Sequence, residues 1–215
     1  MEDVIPPEIR EKYKLLCNDV CHLHRKWGIF RQLFVSGENV VELLNCVAPG
    51  FFWVCKDLLA DDVLLSISRL TDPKQSFKSD NLSLEKLIGS IDATKYADLV
   101  GELEQLFTVT RDKCAFAREQ RNKRIAHTDL STKLEAIPLS DPTTANVETA
   151  LEAIRAVMNT IEKHFHEPIY CNDVNIAFVD YSGVLNVDGT HLITWLREAE
   201  ACKKRNQEQP YQTHY

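Results

Sequence analysis

Residues 121 to 127 read Arg121-Asn122-Lys123-Arg124-Ile125-Ala126-His127, a run holding the groups needed to break a phosphodiester without a metal. Such a cleavage requires a base for the 2′-hydroxyl proton and an acid for the departing 5′-oxygen. It also requires a cation for the charge that builds on phosphorus. Imidazole titrates near physiological pH, so His127 suits proton transfer. Guanidinium presents a fork of donors that matches phosphate oxygens, so Arg121 suits the role of the cation. The amide of Asn122 can orient either the histidine or the scissile phosphate.

Geometry constrains this reading. On a regular helix each residue turns about 100°, so six steps leave Arg121 and His127 about 120° apart. The helix must therefore end or distort before His127, or another chain must complete the site. Arg124, three positions before His127, is its nearest neighbour on a helical face and is a candidate phosphate contact. Acid and base are usually separate groups, yet the run holds one histidine. A twofold dimer that apposes two copies supplies a second His127 and a second Arg121, so a homodimer is expected.

Spacing alone identifies nothing. With 11 arginines and 7 histidines in 215 residues, about one arginine–histidine pair at these spacings arises by chance. The charge around the run adds more. The chain carries a formal net charge of −7, which argues against non-specific coating of nucleic acid. From Arg111 to Lys133, however, seven cations (Arg111, Lys113, Arg118, Arg121, Lys123, Arg124, Lys133) face three carboxylates (Asp112, Glu119, Asp129). Arg118, Lys123 and Arg124 are the candidate substrate-binding residues of this patch. A solvated helix end rich in Lys and Arg is the competing reading, since cations favour a helix C-terminus.

The rest of the chain reads as a scaffold. Seven glycines and few alternating β-branched runs predict an all-α fold. Ile9, Tyr13, Leu16, Val20 and Leu23 recur at helical spacing, which predicts a helix from Pro7 to about Trp27, broken by Gly28. Further helices are predicted over about 29–47, interrupted near Ser36-Gly37, and over 51–70, closed by Thr71-Asp72-Pro73. A polar loop over 73–82 then leads to a short helix capped by Ser83. A long helix is expected from Asp92 to His127, a loop over 128–142, and a helix from Asp141-Pro142 to Phe165. Beyond Pro168 an extended segment is expected over 176–184 and a final helix over 190–205. Residues 1–167 thus read as an up-and-down helical bundle and 168–215 as a C-terminal extension.

A hydrophobic fraction of 44% suffices for a core, and no run of 18 apolar residues predicts a membrane span. Met1 to Pro7 lacks a basic start and an apolar stretch, so a secretory signal is not expected. Seven cysteines without a Cys-x-x-Cys pair fit reduced thiols in a cytoplasm. Cys17, Cys21 and His24, with His22 beside them, share a helix face that zinc could use. No fourth ligand is evident nearby, so no metal and no cofactor are expected. His164 and His166 read as a helix end, Asp57, Asp61 and Asp62 as a solvated helix face, and Cys114 carries no nucleophile signature. No Gly-rich phosphate loop, Ser-x-x-Lys or His-Glu-x-x-His occurs.

Asn122 directly after the arginine and Ala126 directly before the histidine resemble the Arg-x(4–6)-His motif of the HEPN superfamily, which includes metal-independent ribonucleases. Upstream, Trp53-Val54-Cys55-Lys56-Asp57 and Leu64-Leu65-Ser66-Ile67-Ser68-Arg69-Leu70-Thr71-Asp72 look like the abortive-infection AbiU-like branch. That branch reads Arg-Asn-Lys-x-Ile-Ala-His-x-Asp at the later site, and here Asp129 completes the pattern. The resemblance covers about residues 10–165 and, loosely, Asp188-Gly189.

It implies catalytic roles for Arg121, Asn122 and His127 in an endoribonuclease that leaves 2′,3′-cyclic phosphate ends, with the cleft at a homodimer interface. Arg69 and Asp72 fall in the matching segment and are expected to brace the motif helix as an ion pair, with Asp129 also in support. The biological setting implied is the toxic component of a phage-defence or toxin–antitoxin pair, with a protein or enzyme antitoxin as partner. Many HEPN domains do not cleave, so the alternative is a module that binds RNA, a nucleotide or a protein partner.

Overall fold

The computed structural model describes residues 5–76, 78–125, 142–165, 170–171, 174–175 and 188–208. Among them the chain is all-α, as expected. The helices are α1 (Pro7–Phe34), α2 (Glu38–Val47), α3 (Pro49–Leu70), α4 (Leu84–Ile88), α5 (Ala97–Lys113), α6 (Ala115–Gln120), α7 (Thr144–Phe165) and α8 (Asp188–Glu208). A π-helical turn, Arg121–Ile125, follows α6 directly. Two antiparallel pairs of two-residue strands complete the regular structure. β1 (Gln75–Ser76) pairs with β2 (Ser79–Asp80) inside the expected loop, and β3 (Tyr170–Cys171) pairs with β4 (Val174–Asn175). No helix among the described residues is long and apolar enough to cross a membrane.

The chain forms two compact units, one of Met1–His24 with Asp61–Val184 and one of Arg25–Ala60 with Leu185–Tyr215. The division expected at residues 167 and 168 falls outside the described residues, as does the extended segment expected over 176–184.

In the first unit, the α1 stripe of Ile9, Tyr13, Leu16, Val20 and Leu23 is buried as its spacing predicts. The main helix pair is α5 with α7. Leu99, Leu103 and Phe107 of α5 and Val147, Leu151, Ile154, Met158 and Ile161 of α7 are all buried. Each such side chain stabilises the fold by roughly 1.5–3 kcal/mol through the apolar surface it removes from water. The Thr110 hydroxyl lies 2.8 Å from the Leu106 carbonyl and 3.2 Å from that of Ala153, so a buried polar group is satisfied across the pair. The Tyr13 hydroxyl donates to the Glu162 carboxylate and ties α1 to α7. Ser83 caps α4 as expected, its hydroxyl accepting from the Lys86 amide at 3.3 Å.

Two expectations about this unit are corrected. The continuous helix from Asp92 to His127 is in pieces as far as it is described. Asp92 accepts from the Thr94 amide at 2.9 Å and its hydroxyl at 2.6 Å, so a local turn outcompetes the helix and α5 starts only at Ala97. At Cys114 (φ −95, ψ 0) the backbone leaves helical geometry between α5 and α6. Burial pushes the Cys114 thiol up to about 12, so it stays protonated and is no nucleophile. The second correction concerns the start of α7. Thr143 and Asn146 cap it reciprocally, the Asn146 amide donating to the Thr143 hydroxyl at 3.2 Å and the Thr143 amide to Asn146 Oδ1 at 3.0 Å. Thr143 therefore holds the cap position expected of Asp141, which lies outside the described residues.

The second unit has its own core of Leu33, Val40, Leu44, Phe52 and Ile193, flanked by Ile29, Phe34, Leu43, Leu192 and Leu196. Here the break expected at Gly28 is absent: α1 continues through it to Phe34. A helical glycine costs only about 1 kcal/mol. Apolar contacts on both sides outweigh that, with the Trp27 and Phe30 rings stacked at 5.3 Å and Phe30 against Phe34 at 5.4 Å. The chain breaks where the interruption near Ser36-Gly37 was expected, at Gly37, whose φ of 141 is a conformation that side chains rarely adopt. Opposite signs are expected from alanine at the two positions. A Cβ at Gly28 meets nothing within 4 Å, so Gly28→Ala should raise the melting temperature by roughly 1–4 °C. Gly37→Ala should lower it by several degrees, because φ must move or the strain of about 1–3 kcal/mol must be carried. Thermal melts of both variants test the corrected break, and a destabilised Gly28→Ala would contradict it.

Candidate active site

The motif helix reaches the site as a widened turn. Residues 121–125 are π-helical, a geometry that distorts the regular turn and recurs at functional sites. His127 and Asp129 lie outside the described residues. The described part of the site is made of Arg118, Arg121, Asn122, Lys123 and Arg124 and their neighbours in the first unit.

Arg121 is held on two of its three nitrogens. Its Nε donates to Oδ1 of Asn122 at 3.1 Å. Its Nη1 lies 2.8 Å from both carboxylate oxygens of Asp72. One nitrogen bridging two oxygens differs from the parallel fork of a bidentate pair, and it leaves Nη2 without a partner among the described residues. The arginine side chain is 24% exposed, so part of it is open to a ligand.

Arg124 repeats the pattern. Its Nε donates to Oε1 of the buried Gln120 at 2.8 Å, and its Nη2 to Oδ1 of Asp61 at 2.6 Å. Nη1 has no partner among the described residues. Arg118 serves differently. Its Nη2 donates to the Thr71 carbonyl at 2.5 Å and approaches the Thr71 hydroxyl at 3.1 Å, satisfying a backbone acceptor just past the end of α3. Its Nε is 3.9 Å from Asp72. Lys123 pairs with Glu119 one turn back at 2.7 Å, an exposed contact of small energetic weight.

Asp72 braces the motif helix, but its ion partners are Arg121 and Arg118 rather than Arg69. The Arg69 side chain is exposed, and the link between the two residues is from the Asp72 amide to the Arg69 carbonyl at 3.2 Å. Sequence proximity suggested the wrong pair because the last turn of α3 points Arg69 outward. Asp61 is a second correction. Expected on a solvated face, it is the counter-ion of Arg124, with its side chain 32% exposed. The excess of cations over 111–133 was a signal that counter-ions must come from elsewhere in the chain. The linear pattern did not say which.

The other candidates do not assemble. Among the described residues no three His, Cys, Asp or Glu groups are placed to hold a metal ion. Cys17 and Cys21 are half-buried along α1. His164 packs edge-on against Tyr96 at 5.5 Å and Phe165 at 4.9 Å, beside the end of α7. His166 is outside the described residues.

The described residues thus form a helical domain with an arginine–amide pair at a distorted helix end. The family model AbiU2 of the HEPN proteins matches residues 6–171, and the chain belongs to that family. No curated protein matches the chain, and no solved structure does.

Proposed function

We propose that the chain is a metal-independent endoribonuclease, acting as the toxic component of a phage-defence or toxin–antitoxin pair that a protein or enzyme antitoxin restrains. One observation carries the reading. Asp72 and Asn122 fix Arg121 and leave one guanidinium nitrogen unengaged among the described residues. A preorganised donor of this kind stabilises charge on phosphorus without reorganising during the reaction. His127, six residues on, supplies the proton transfer, and Asn122 orients the arginine through its carbonyl oxygen.

A second copy of the chain is the partner that completes the acid–base pair. The first turns of α3 support a protein partner, since large apolar side chains there stand in water. Phe52 is buried, yet Phe51, Trp53, Val54 and Leu58 are between 46% and 65% exposed. A group of large exposed apolar side chains of this kind is a feature of protein–protein contact surfaces.

The test is incubation of purified protein with RNA in EDTA, followed by analysis of the cut ends and of the sedimentation mass. Cleavage that persists in EDTA and leaves 2′,3′-cyclic phosphates, from a dimer, is the expected result. Dependence on added divalent metal, or an inactive monomer, would defeat the proposal. A non-catalytic module that binds RNA, a nucleotide or a protein partner is the second reading, favoured by the single histidine of the run, since acid and base are usually separate groups. RNA bound tightly but left intact would decide for that module.

A further inference from the structure

We infer that Asp61 is a positioning residue that presents Arg124 as a second phosphate contact, so that the site takes a polynucleotide by two phosphates rather than a nucleotide by one. The inference rests on the proposed reading of Arg121 as a phosphate contact and extends it to a residue outside the motif.

The two guanidiniums are built alike. Each gives its Nε to a side-chain amide oxygen of its own segment, Asn122 for Arg121 and Gln120 for Arg124. Each gives one Nη to a carboxylate from the α3 side, Asp72 at 2.8 Å and Asp61 at 2.6 Å. Each keeps its other Nη clear of partners among the described residues. Duplication of the arrangement argues against a chance surface pair, since a lone exposed pair needs no second anchor on Nε. Gln120 makes the point most sharply: only 2% exposed, it directs its amide oxygen to an arginine that is itself on the surface.

The anchors also set the separation. Asp61 lies within α3 and Asp72 just past its end, about 16 Å apart if measured as helical rise. Their arginines start only three residues apart and are drawn in different directions. The unengaged nitrogens therefore address two anions rather than one shared phosphate. A carboxylate in this position lowers the entropy lost when a long side chain docks on its ligand, because the rotamer is already chosen.

Binding of a labelled oligoribonucleotide to the intact chain, measured by fluorescence anisotropy over a series of salt concentrations, tests this without requiring cleavage. Asp61→Ala should weaken binding about tenfold and lower the log–log salt slope by about 0.7, the loss of one phosphate contact on a single strand. Arg124→Ala should do the same. In the Arg124→Ala background, Asp61→Ala should have no further effect, because Asp61 acts only through Arg124. Asp61→Asn, which keeps an acceptor oxygen, should recover part of the affinity. If Asp61→Ala tightens binding, the carboxylate masks the arginine and the inference fails. Unchanged affinity and slope with a lowered melting temperature would make Asp61 merely structural and also overturn it. A wild-type chain that binds no RNA would instead defeat the functional reading itself, and this inference with it.

Discussion

Arg121→Ala is expected to lower RNA cleavage by two to three orders of magnitude, the effect of removing one preorganised donor from a developing oxyanion. The loss should appear in kcat more than in KM, because the unengaged Nη2 matters most when charge has built on phosphorus. The fold should survive: the end of α3 remains tied to α6 through Arg118 and the Thr71 carbonyl. Arg121→Lys should be nearly as inactive as alanine. A single ammonium cannot hold Asp72 and Asn122 on two nitrogens while offering a third to substrate. Single-turnover cleavage in EDTA, beside a His127→Ala control, provides the measurement. An Arg121→Ala protein that keeps more than about a tenth of the activity would place the cation elsewhere.

Asp72→Ala is expected to affect both stability and activity. Asp72 accepts from Arg121 on both oxygens and draws Arg118 to 3.9 Å, with its own side chain only 19% exposed. Its loss leaves two guanidiniums without their carboxylate in a partly desolvated setting, at a cost of about 2 kcal/mol. For a chain of this size the melting temperature should fall by roughly 4–8 °C. Cleavage should fall as well, since Arg121 loses the anchor that aims it. Asp72→Asn separates the two effects. It retains an acceptor oxygen in place, so much of the activity should return while the stability lost with the charge does not. Thermal melts read alongside cleavage rates make the comparison, and full activity in a destabilised Asp72→Ala would show that Arg121 needs no such anchor.

The sequence was most legible where a signal repeats. Nine buried positions of α7 and five of α1 follow one helical period, and such a stripe has one way to leave water. The pattern was less legible at single-residue punctuation. Gly28 and Gly37 are the same residue type, yet only Gly37 sits at a φ that excludes side chains. Ring stacking around Trp27 and Phe30 tips the balance, and no local signal reports that. Cys114 interrupts a helix with neither Gly nor Pro nearby, so no punctuation in the sequence marks the break.

The candidate site divides along the same line. By itself the sequence determined the all-α class, the family and the cluster of Arg121, Asn122 and Arg124, because periodicity and adjacency are properties of the chain. Tertiary structure alone decided that Asp72 holds Arg121 and that Asp61 holds Arg124. Those partners lie 49 and 63 residues away along the chain. The reason is physical: a cation's need for a counter-ion is written in its own charge, but the carboxylate that answers it is chosen by how helices pack.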